Sequence, residues 1–196
     1  MRIGIFGGSF DPSHMAHVWI CRNAVKELHL DKLFIIPNFV SPLKREKAVD
    51  KEHIVNMCRF LSYEPGCYLD TREIDREGPS FTVDTVKAYR QEYPSDELYL
   101  IMGYDAVSTF TNWKDYTVIS NTINCFVIVP RMGYEMDEDA HIRALDRPTC
   151  NIFLLEPSFV QISSTQLRQM IRDDENIEGL LPIVVQAYIL RNKLYL

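Results

Sequence analysis

Short runs of almost continuously apolar residues alternate along the chain with longer segments in which apolar residues recur every three or four positions. The apolar runs predict strands, because a strand that is covered on both faces is apolar throughout. The predicted strands span residues 2–6, 32–37, 67–74, 97–102, 124–130 and 151–156. The periodic segments predict helices at about 14–29, 51–62, 82–93, 104–111, 164–172 and 183–193. Strands that alternate with helices indicate an α/β fold with a parallel sheet and right-handed crossovers.

Two polar segments interrupt this pattern, and each follows a predicted strand. Residues 38–52 are polar and rich in cations, and residues 131–148 are predicted to form a loop or a short helix. Loops after the carboxyl ends of strands are where open α/β sheets bind ligands. No linker divides the 196 residues. We therefore expect a single domain in which the helices from about residue 164 form a small C-terminal helical subdomain that packs on the sheet.

The composition is that of an ordinary globular protein, with 46% hydrophobic and 24% charged residues. The net charge of -6 argues against a broad nucleic-acid surface, although a few cations and backbone N–H groups can still form a small anion pocket. No apolar stretch resembles a signal peptide or approaches the length of a membrane span. The five cysteines form no C-x-x-C pair. This favours a reduced, cytoplasmic protein with neither a nucleic-acid nor a membrane partner.

The sequence "IFGGSFDPSHMAHVW" places two glycines and two histidines where a strand is predicted to turn into a helix. Gly7 and Gly8 let the backbone approach a ligand closely, and Ser9 adds a hydroxyl donor. The N–H groups of such a turn and of the following helix form an anion site. His14 and His17 lie on one helix face and can hydrogen-bond phosphate oxygens. The "DP" pair at residues 11 and 12, between the glycines and the histidines, is typical of a turn near a helix start.

The histidine pair has a second interpretation as half of a metal site. Zinc needs three or four ligands, and no H-E-x-x-H motif or cysteine pair supplies the others. Neither the dinucleotide motif G-x-G-x-x-G nor the P-loop motif is present. The spacing therefore favours a phosphate site over a plain turn, and no metal-binding residues are predicted.

The sequence "VQISSTQLRQMI" repeats this logic near the other end of the chain. Ser163, Ser164 and Thr165 begin a predicted helix, and Gln166 lies where a capping box requires it. The first turn offers N–H groups and the positive end of the helix dipole, and Arg168 can bind a phosphate through two donors. Plain capping would explain an isolated run of this kind. Two such termini in one sheet favour a triphosphate site, with the α-phosphate at one terminus and the β- and γ-phosphates at the other.

Together these residues resemble the signature motifs of a known family. Residues 7–17 resemble the motif G-G-[TS]-F-D-P-x-H-x-G-H of the nucleotidyltransferases, and residues 162–168 resemble their motif I-S-S-T-x-I-R. The segments "REGPSFTVDTV", "LIMGYDAVSTFTNW" and "VIVPRMGY" and the tail "LLPIVVQAYILRNKLYL" are similar to bacterial nicotinate-nucleotide adenylyltransferases. The resemblance covers nearly the whole chain. It implies a Rossmann-like, doubly wound parallel sheet of the nucleotidyltransferase type.

The resemblance also implies a reaction. ATP and nicotinate mononucleotide would give nicotinate adenine dinucleotide and pyrophosphate, a step of NAD biosynthesis. Mg²⁺ is expected to be carried by ATP, with few or no protein ligands. Catalysis is expected to rest on positioning and charge neutralisation, because the attacking phosphate is already an anion and needs no general base. A homo-oligomer is left open.

Three sets of residues receive roles from the resemblance. The catalytic residues are His14, His17 and Arg168. The residues expected to bind ATP and its phosphates are Gly7, Gly8, Ser9, Phe10, Lys44, Gly103, Asp105, Ile162, Ser163, Ser164 and Thr165. The residues expected to bind the pyridine nucleotide are Ser80, Thr82, Trp113 and Arg131. Trp113 would stack on the pyridine ring, and the start of the helix at Thr82 would hold the nicotinate carboxylate.

Four positions depart from the family pattern. Ala16 replaces the glycine of H-x-G-H, and Leu43 replaces the histidine of P-P-H-K. Met132 replaces the proline of R-P-G. Tyr104 replaces the alanine of G-A-D and is expected to place a large ring beside Asp105 near the ligand.

Other functions stay open. Another adenylyltransferase of the same fold, acting on phosphopantetheine or nicotinamide mononucleotide, would share the first and last motifs. The phosphopantetheine enzyme is not expected to carry "REGPSFTVDT" or the segment around Trp113. A non-catalytic nucleotide sensor could keep the binding loops, but the joint presence of His14, His17 and Arg168 disfavours it. A metal-dependent phosphohydrolase would need a ligand cluster that the sequence lacks.

Overall fold

The computed structural model describes residues 1–42, 47–130, 145, 151–155, 158 and 160–196. The strands are β1 (Arg2–Gly8), β2 (Lys32–Pro37), β3 (Cys67–Leu69), β4 (Glu97–Gly103), β5 (Cys125–Val129) and β6 (Asn151–Leu154). The α-helices that the described ranges contain are α1 (Met15–Glu27), α2 (Lys51–Arg59), α3 (Arg72–Arg76), α4 (Thr82–Glu92), α5 (Tyr104–Val107), α6 (Tyr116–Thr122), α7 (Ser164–Arg172) and α8 (Ile183–Arg191). Single 3₁₀ turns, Leu61–Tyr63 and Phe110–Asn112, follow α2 and α5.

The six strands form one parallel sheet in the order β3-β2-β1-β4-β5-β6. The chain winds outward from β1 to β3, returns to β4 beside β1, and winds outward again to β6. Its direction therefore reverses between β1 and β4, which is the switch point at which sheets of this kind bind ligands. This topology confirms the predicted α/β fold with a Rossmann-like, doubly wound parallel sheet.

Successive side chains of each strand point to opposite faces of the sheet, and both faces are covered. In β5, Val127 packs in one apolar cluster with residues of α1, α2, α7 and α8. Its neighbour Phe126 packs in a second cluster with residues of α4, α5 and α6. All five residues of β5 are buried. The strand is apolar throughout because it has no solvent-facing side.

The C-terminal helices share the first cluster with the sheet. Leu167 of α7 and Val185 and Ile189 of α8 are buried there together with Phe6 and Val127. Apolar contact therefore seats these helices on the sheet. That the chain forms a single domain stays a prediction.

The strand predicted at 67–74 is wrong in its second half. It ends at Leu69, and Arg72–Arg76 forms α3 instead. The carboxylate of Asp70 accepts hydrogen bonds from the backbone N–H of Arg72 at 2.9 Å and from the hydroxyl of Tyr89. A local aspartate turn of this kind competes with the strand ladder, and it directs the chain into α3.

The segment after β4 also differs from the prediction. The helix expected at 104–111 is the short α5 followed by a 3₁₀ turn. Helix α6 is missing from the sequence prediction, since its sequence "YTVISNT" is rich in β-branched residues that do not favour a helix. The other predicted elements are present with ends shifted by a few residues.

Two further observations concern the chain as a whole. Within the described ranges, no helix combines the length and apolar character that a membrane span requires. Cys21, Cys58 and Cys67 are buried and free, and Cys125 is also buried. Cys150 lies outside the described residues.

Ile189→Ala should lower the free energy of unfolding by about 2 to 4 kcal/mol, because the substitution removes buried apolar surface and leaves a cavity. The side chain of Ile189 is 2% exposed, whereas Ile183 on the same helix is 81% exposed. Ile183→Ala is the matched control and should change this free energy by less than about 0.5 kcal/mol. Urea unfolding followed by circular dichroism measures both variants. Equal losses would contradict the packing of α8 on the sheet.

Candidate active site

The glycine turn, residues 7–12, lies at the switch point of the sheet. β1 ends at Gly8, and its neighbour β4 ends at Gly103. A Cβ atom built on Gly7 or Gly103 meets no atom within 4 Å, so both strand ends border open space. A Cβ atom on Gly8 would lie 3.0 Å from the ring of Phe10. The glycines thus leave room above the sheet for a ligand to approach the backbone.

Phe10 fixes the shape of the turn. Its φ of 49° lies in the left-handed region that residues other than glycine rarely adopt. Its ring is 1% exposed and packs against Phe6 with a centroid distance of 5.3 Å and against His17 at 4.8 Å. The predicted role of Phe10 therefore falls on its backbone, since its side chain is part of the core.

His14 and His17 come together at the start of α1. Their rings are stacked, with centroids 3.7 Å apart and planes inclined by 22°. The backbone N–H of His14 donates to Nδ1 of His17 at 3.1 Å. The neutral His17 ring therefore carries its proton on Nε2 and presents a hydrogen-bond donor on that side. Both rings lie at the positive end of a 13-residue helix, which favours an anion.

Helix α7 begins with the predicted capping box. The backbone N–H of Gln166 donates to Oγ of Ser163 at 3.2 Å, and the backbone N–H of Ser163 donates to Oε1 of Gln166 at 2.9 Å. Ile162, just before the box, packs against the first apolar cluster. The start of α7 is therefore fixed both by hydrogen bonds and by apolar contact.

The two phosphate motifs are in direct contact. Oγ of Ser164 donates to the carbonyl oxygen of Pro12 at 2.9 Å, across 152 residues of sequence. Nη1 of Arg168 donates to the carbonyl oxygen of Asp11 at 2.6 Å, and Nη2 donates to Oγ1 of Thr165 at 3.2 Å. The structure thus brings together the two motifs that the sequence analysis singled out.

Asp11 and Tyr195 belong to the same arrangement, and sequence reasoning missed both. The side chain of Asp11 is buried, and its Oδ1 accepts a hydrogen bond from the hydroxyl of Tyr195 at 2.6 Å. Its Oδ2 accepts one from the backbone N–H of Ala48 at 2.7 Å. Burial, together with the Asp11 carboxylate, raises the pKa of Tyr195 well above its ordinary value. The "DP" pair in the sequence indicates a turn, but nothing near it indicates that Asp11 pairs with Tyr195.

Lys47 is a further cation at the turn. Its Nζ donates to the carbonyl oxygen of Ser9 at 3.2 Å. Burial lowers the pKa of Lys47 to about 8, although the carboxylates of Asp11 and Glu73 oppose this shift. The cationic composition of residues 38–52 was the signal that could have indicated it. The predicted ligand Lys44 and the departure Leu43 lie outside the described residues.

The predicted pyridine site begins at the N-terminus of α4. Ser80 is buried, and its Oγ accepts a hydrogen bond from the backbone N–H of Phe39 at 2.9 Å. The backbone N–H of Ser80 donates to the carbonyl oxygen of Val40 at 2.8 Å. Thr82 is the first residue of α4, which has no side-chain cap. Its first turn can therefore offer N–H groups to a carboxylate.

The residues at the end of β4 lie across the switch point from the glycine turn. Gly103 precedes the first turn of α5, and Asp105 is exposed within that turn. The side chain of Tyr104 is 6% exposed and packs in the second apolar cluster. The expectation that its ring lies beside the ligand is wrong, because the ring is directed into the core.

Trp113 is half-buried at the margin of the second cluster. Its ring lies 5.5 Å from that of Phe110, and its Nε1 donates to Oγ1 of Thr109 at 3.4 Å. Part of the indole surface thus stays accessible. Arg131 and the departure Met132 lie outside the described residues.

Four cationic or ionisable side chains therefore lie around one turn: His14, His17, Lys47 and Arg168. Such a set suits a polyphosphate despite the net charge of -6. In the part of the chain that the structure describes, no three His, Cys, Asp or Glu residues are grouped so as to hold a metal ion. The absence of a protein metal site from the whole chain stays a prediction.

Comparisons with known proteins agree with this arrangement. The family model described as cytidylyltransferase-like matches residues 5–170. The solved structure of Plasmodium falciparum nicotinic acid mononucleotide adenylyltransferase complexed with NaAD has the same fold, with a TM-score of 0.82 at 20% identity. That match covers 99% of this chain and 97% of the other.

Relatives with closer sequences extend over the full length. A protein of Gemmatimonas aurantiaca, named as a probable nicotinate-nucleotide adenylyltransferase, is 36% identical over 196 residues, which cover 100% of this chain and 92% of that protein. The nicotinate-nucleotide adenylyltransferase of Bacillus subtilis is 33% identical over 196 residues, which cover 99% and 98% of the two chains. The chain therefore belongs to the cytidylyltransferase-like family and, within it, to the nicotinate-nucleotide adenylyltransferases.

Proposed function

We propose that this protein transfers the adenylyl group of ATP to nicotinate mononucleotide, which yields nicotinate adenine dinucleotide and pyrophosphate. The observation that carries the proposal is the direct contact between two phosphate motifs at the switch point of the sheet. In that contact Ser164 and Arg168 donate to the carbonyl oxygens of Pro12 and Asp11. The names of the full-length relatives support the pyridine mononucleotide as the second substrate.

In the proposed reaction a phosphate oxygen of the mononucleotide attacks the α-phosphorus of ATP. The bond from that phosphorus to the bridging oxygen of the β-phosphate breaks, and pyrophosphate leaves with the electron pair. No proton has to be removed from the attacking anion, so the protein contributes positioning and charge neutralisation. The Nε2–H of His17 would donate to the α-phosphate as negative charge builds up. The stacked ring of His14, 3.7 Å away, would hold His17 in this orientation.

The β- and γ-phosphates would bind at the start of α7. Ser163, Ser164 and Thr165 place hydroxyls and N–H groups there, and Arg168 uses one donor on Asp11 and one on Thr165. A guanidinium has five N–H donors, so others can point to phosphate oxygens. The ammonium of Lys47, held at the turn by Ser9, would add charge, and we assign the same role to Lys44.

The two nucleosides would lie on either side of the transferred phosphate. We assign Gly103 and Asp105 to the adenosine and its ribose, since both lie at the end of β4 next to the glycine turn. The pyridine nucleotide would bind Ser80, Thr82, Trp113 and Arg131, with its carboxylate at the uncapped start of α4. Mg²⁺ would be carried on the phosphate oxygens of ATP. Cys21, Cys58 and Cys67 are buried and free, which fits a reducing compartment such as the cytoplasm.

Purified protein given ATP, Mg²⁺ and nicotinate mononucleotide should release pyrophosphate and form nicotinate adenine dinucleotide, measured by a coupled assay and by chromatography of the product. Nicotinamide mononucleotide and phosphopantetheine should react with a kcat/KM at least about tenfold lower, because they lack the carboxylate or the ring that the site would bind. Faster turnover of either acceptor would select that alternative. If none of the three acceptors supports the release of pyrophosphate, the proposal is wrong and a nucleotide sensor is favoured.

His17→Ala should lower kcat by about 100-fold or more, because the lost donor acts on charge that develops in the transition state. The affinity for a non-hydrolysable ATP analogue, measured by calorimetry, should change by less than about threefold. His29→Ala, at an exposed position after α1, is the control and should leave both values unchanged. Equal losses of turnover and affinity would show that His17 only binds the ground state.

The kcat/KM for ATP should fall as the pH rises through about 8, where Lys47 loses its proton. This ratio reports ionisations of the free enzyme, and the deprotonated amine no longer attracts a triphosphate. Lys47→Arg stays charged across this range and should move the fall to higher pH. Lys51→Arg, an exposed lysine paired with Glu77 at 2.8 Å, is the control. A pH profile unchanged by Lys47→Arg would show that another group titrates.

A further inference from the structure

We propose that Tyr195 is a positioning residue for adenylyl transfer, because its hydroxyl holds Asp11 in the orientation that directs Arg168 toward the phosphates. The inference rests on the proposed function and extends it to the segment that follows α8. Tyr195 lies in the family-like tail "LLPIVVQAYILRNKLYL", but the sequence analysis gives it no role.

The contact between Tyr195 and Asp11 is buried. The hydroxyl donates to Oδ1 of Asp11 at 2.6 Å, across 184 residues of sequence. The two residues are 7% and 3% exposed. A hydrogen bond from a neutral hydroxyl to a carboxylate is among the stronger kinds, and burial raises the pKa of Tyr195, so the hydroxyl keeps its proton at neutral pH.

Asp11 joins this hydroxyl to the phosphate side of the site. Its carbonyl oxygen accepts the donor of Arg168 at 2.6 Å, and its Oδ2 accepts the N–H of Ala48 at 2.7 Å. Ala48 is next to Lys47, whose ammonium contacts the glycine turn. Asp11 therefore links Tyr195 both to Arg168 and to the cationic segment.

The coupling should affect catalysis more than stability. The ring of Tyr195 packs in the first apolar cluster, and its hydroxyl lies 3.9 Å from Sδ of Met57. Tyr195→Phe keeps that ring and removes only the donor. The buried carboxylate of Asp11 then keeps only the N–H of Ala48 as a donor. An unsatisfied buried oxygen is costly, so the Asp11 side chain is expected to rotate toward another donor. Arg168 donates to the backbone carbonyl of Asp11, so a shift of that backbone that accompanies the rotation would displace the guanidinium. Small displacements of a catalytic group slow a reaction strongly.

The experiment compares Tyr195→Phe with Tyr188→Phe. The hydroxyl of Tyr188, on α8, is also hydrogen-bonded, to Nδ1 of His53 at 2.9 Å and to Nδ2 of Asn56 at 2.9 Å. Tyr195→Phe should lower kcat by about tenfold, with the KM for nicotinate mononucleotide within about twofold of the wild type. Tyr188→Phe should keep kcat within about twofold. Equal kcat values for the two variants would overturn the inference.

A double-mutant cycle tests whether Tyr195 acts through Arg168. Arg168→Lys already removes the paired N–H donors of the guanidinium. Adding Tyr195→Phe to this variant should therefore lower kcat by less than about threefold. Additive losses would mean that Tyr195 has a general structural role, and would also overturn the inference.

A third readout does not depend on turnover. The guanidinium N–H signals of Arg168 in nuclear magnetic resonance spectra should shift or broaden in Tyr195→Phe and stay unchanged in Tyr188→Phe. Unchanged signals in Tyr195→Phe would contradict the coupling even if the wild type transferred no adenylyl group. Failure of the proposed function is thus recognised separately, by the absence of dinucleotide formation in the wild type.

Discussion

The burial of Asp11 is the constraint on which the candidate site depends. A buried carboxylate is costly unless each oxygen has a donor. Here the donors come from Ala48 and Tyr195, which lie far from each other in the sequence. The carbonyl of the same residue accepts the hydrogen bond of Arg168. Asp11 is buried with both oxygens satisfied only when the cationic segment and the C-terminal segment lie at the glycine turn.

The parallel sheet supplies the place at which these segments meet. All six strands point the same way, so their carboxyl ends share one edge, and the reversal between β1 and β4 opens a crevice there. Apolar clusters on both faces make the sheet a rigid support. The sheet fixes where Gly8 and Gly103 lie but not how the loops beyond them are oriented. That orientation comes from the hydrogen bonds on Asp11 and Pro12, which is why the site combines a rigid base with side chains held by a few polar contacts.

Sequence reasoning predicted what local patterns determine. The sheet followed from apolar runs, and the capping box of Ser163 followed from its spacing to Gln166. It failed where distant residues decide the outcome. The end of β3 depends on the partners of Asp70, and the buried position of Tyr104 depends on the cluster that receives its ring. The pairing of Asp11 with Tyr195 links opposite ends of the chain, so no local signal could have indicated it.

The cations of the site are held in a way that keeps their charge available. Arg168 donates to the carbonyl of Asp11, and Lys47 donates to the carbonyl of Ser9. A carbonyl oxygen has no net charge, so these contacts orient the cations without neutralising them. Arg22, in contrast, is paired with the carboxylate of Glu64. Burial lowers the pKa of Lys47 because its charge is only partly compensated. A bound triphosphate would supply the missing compensation, and an acidic protein can thereby bind a polyanion at one edge of its sheet.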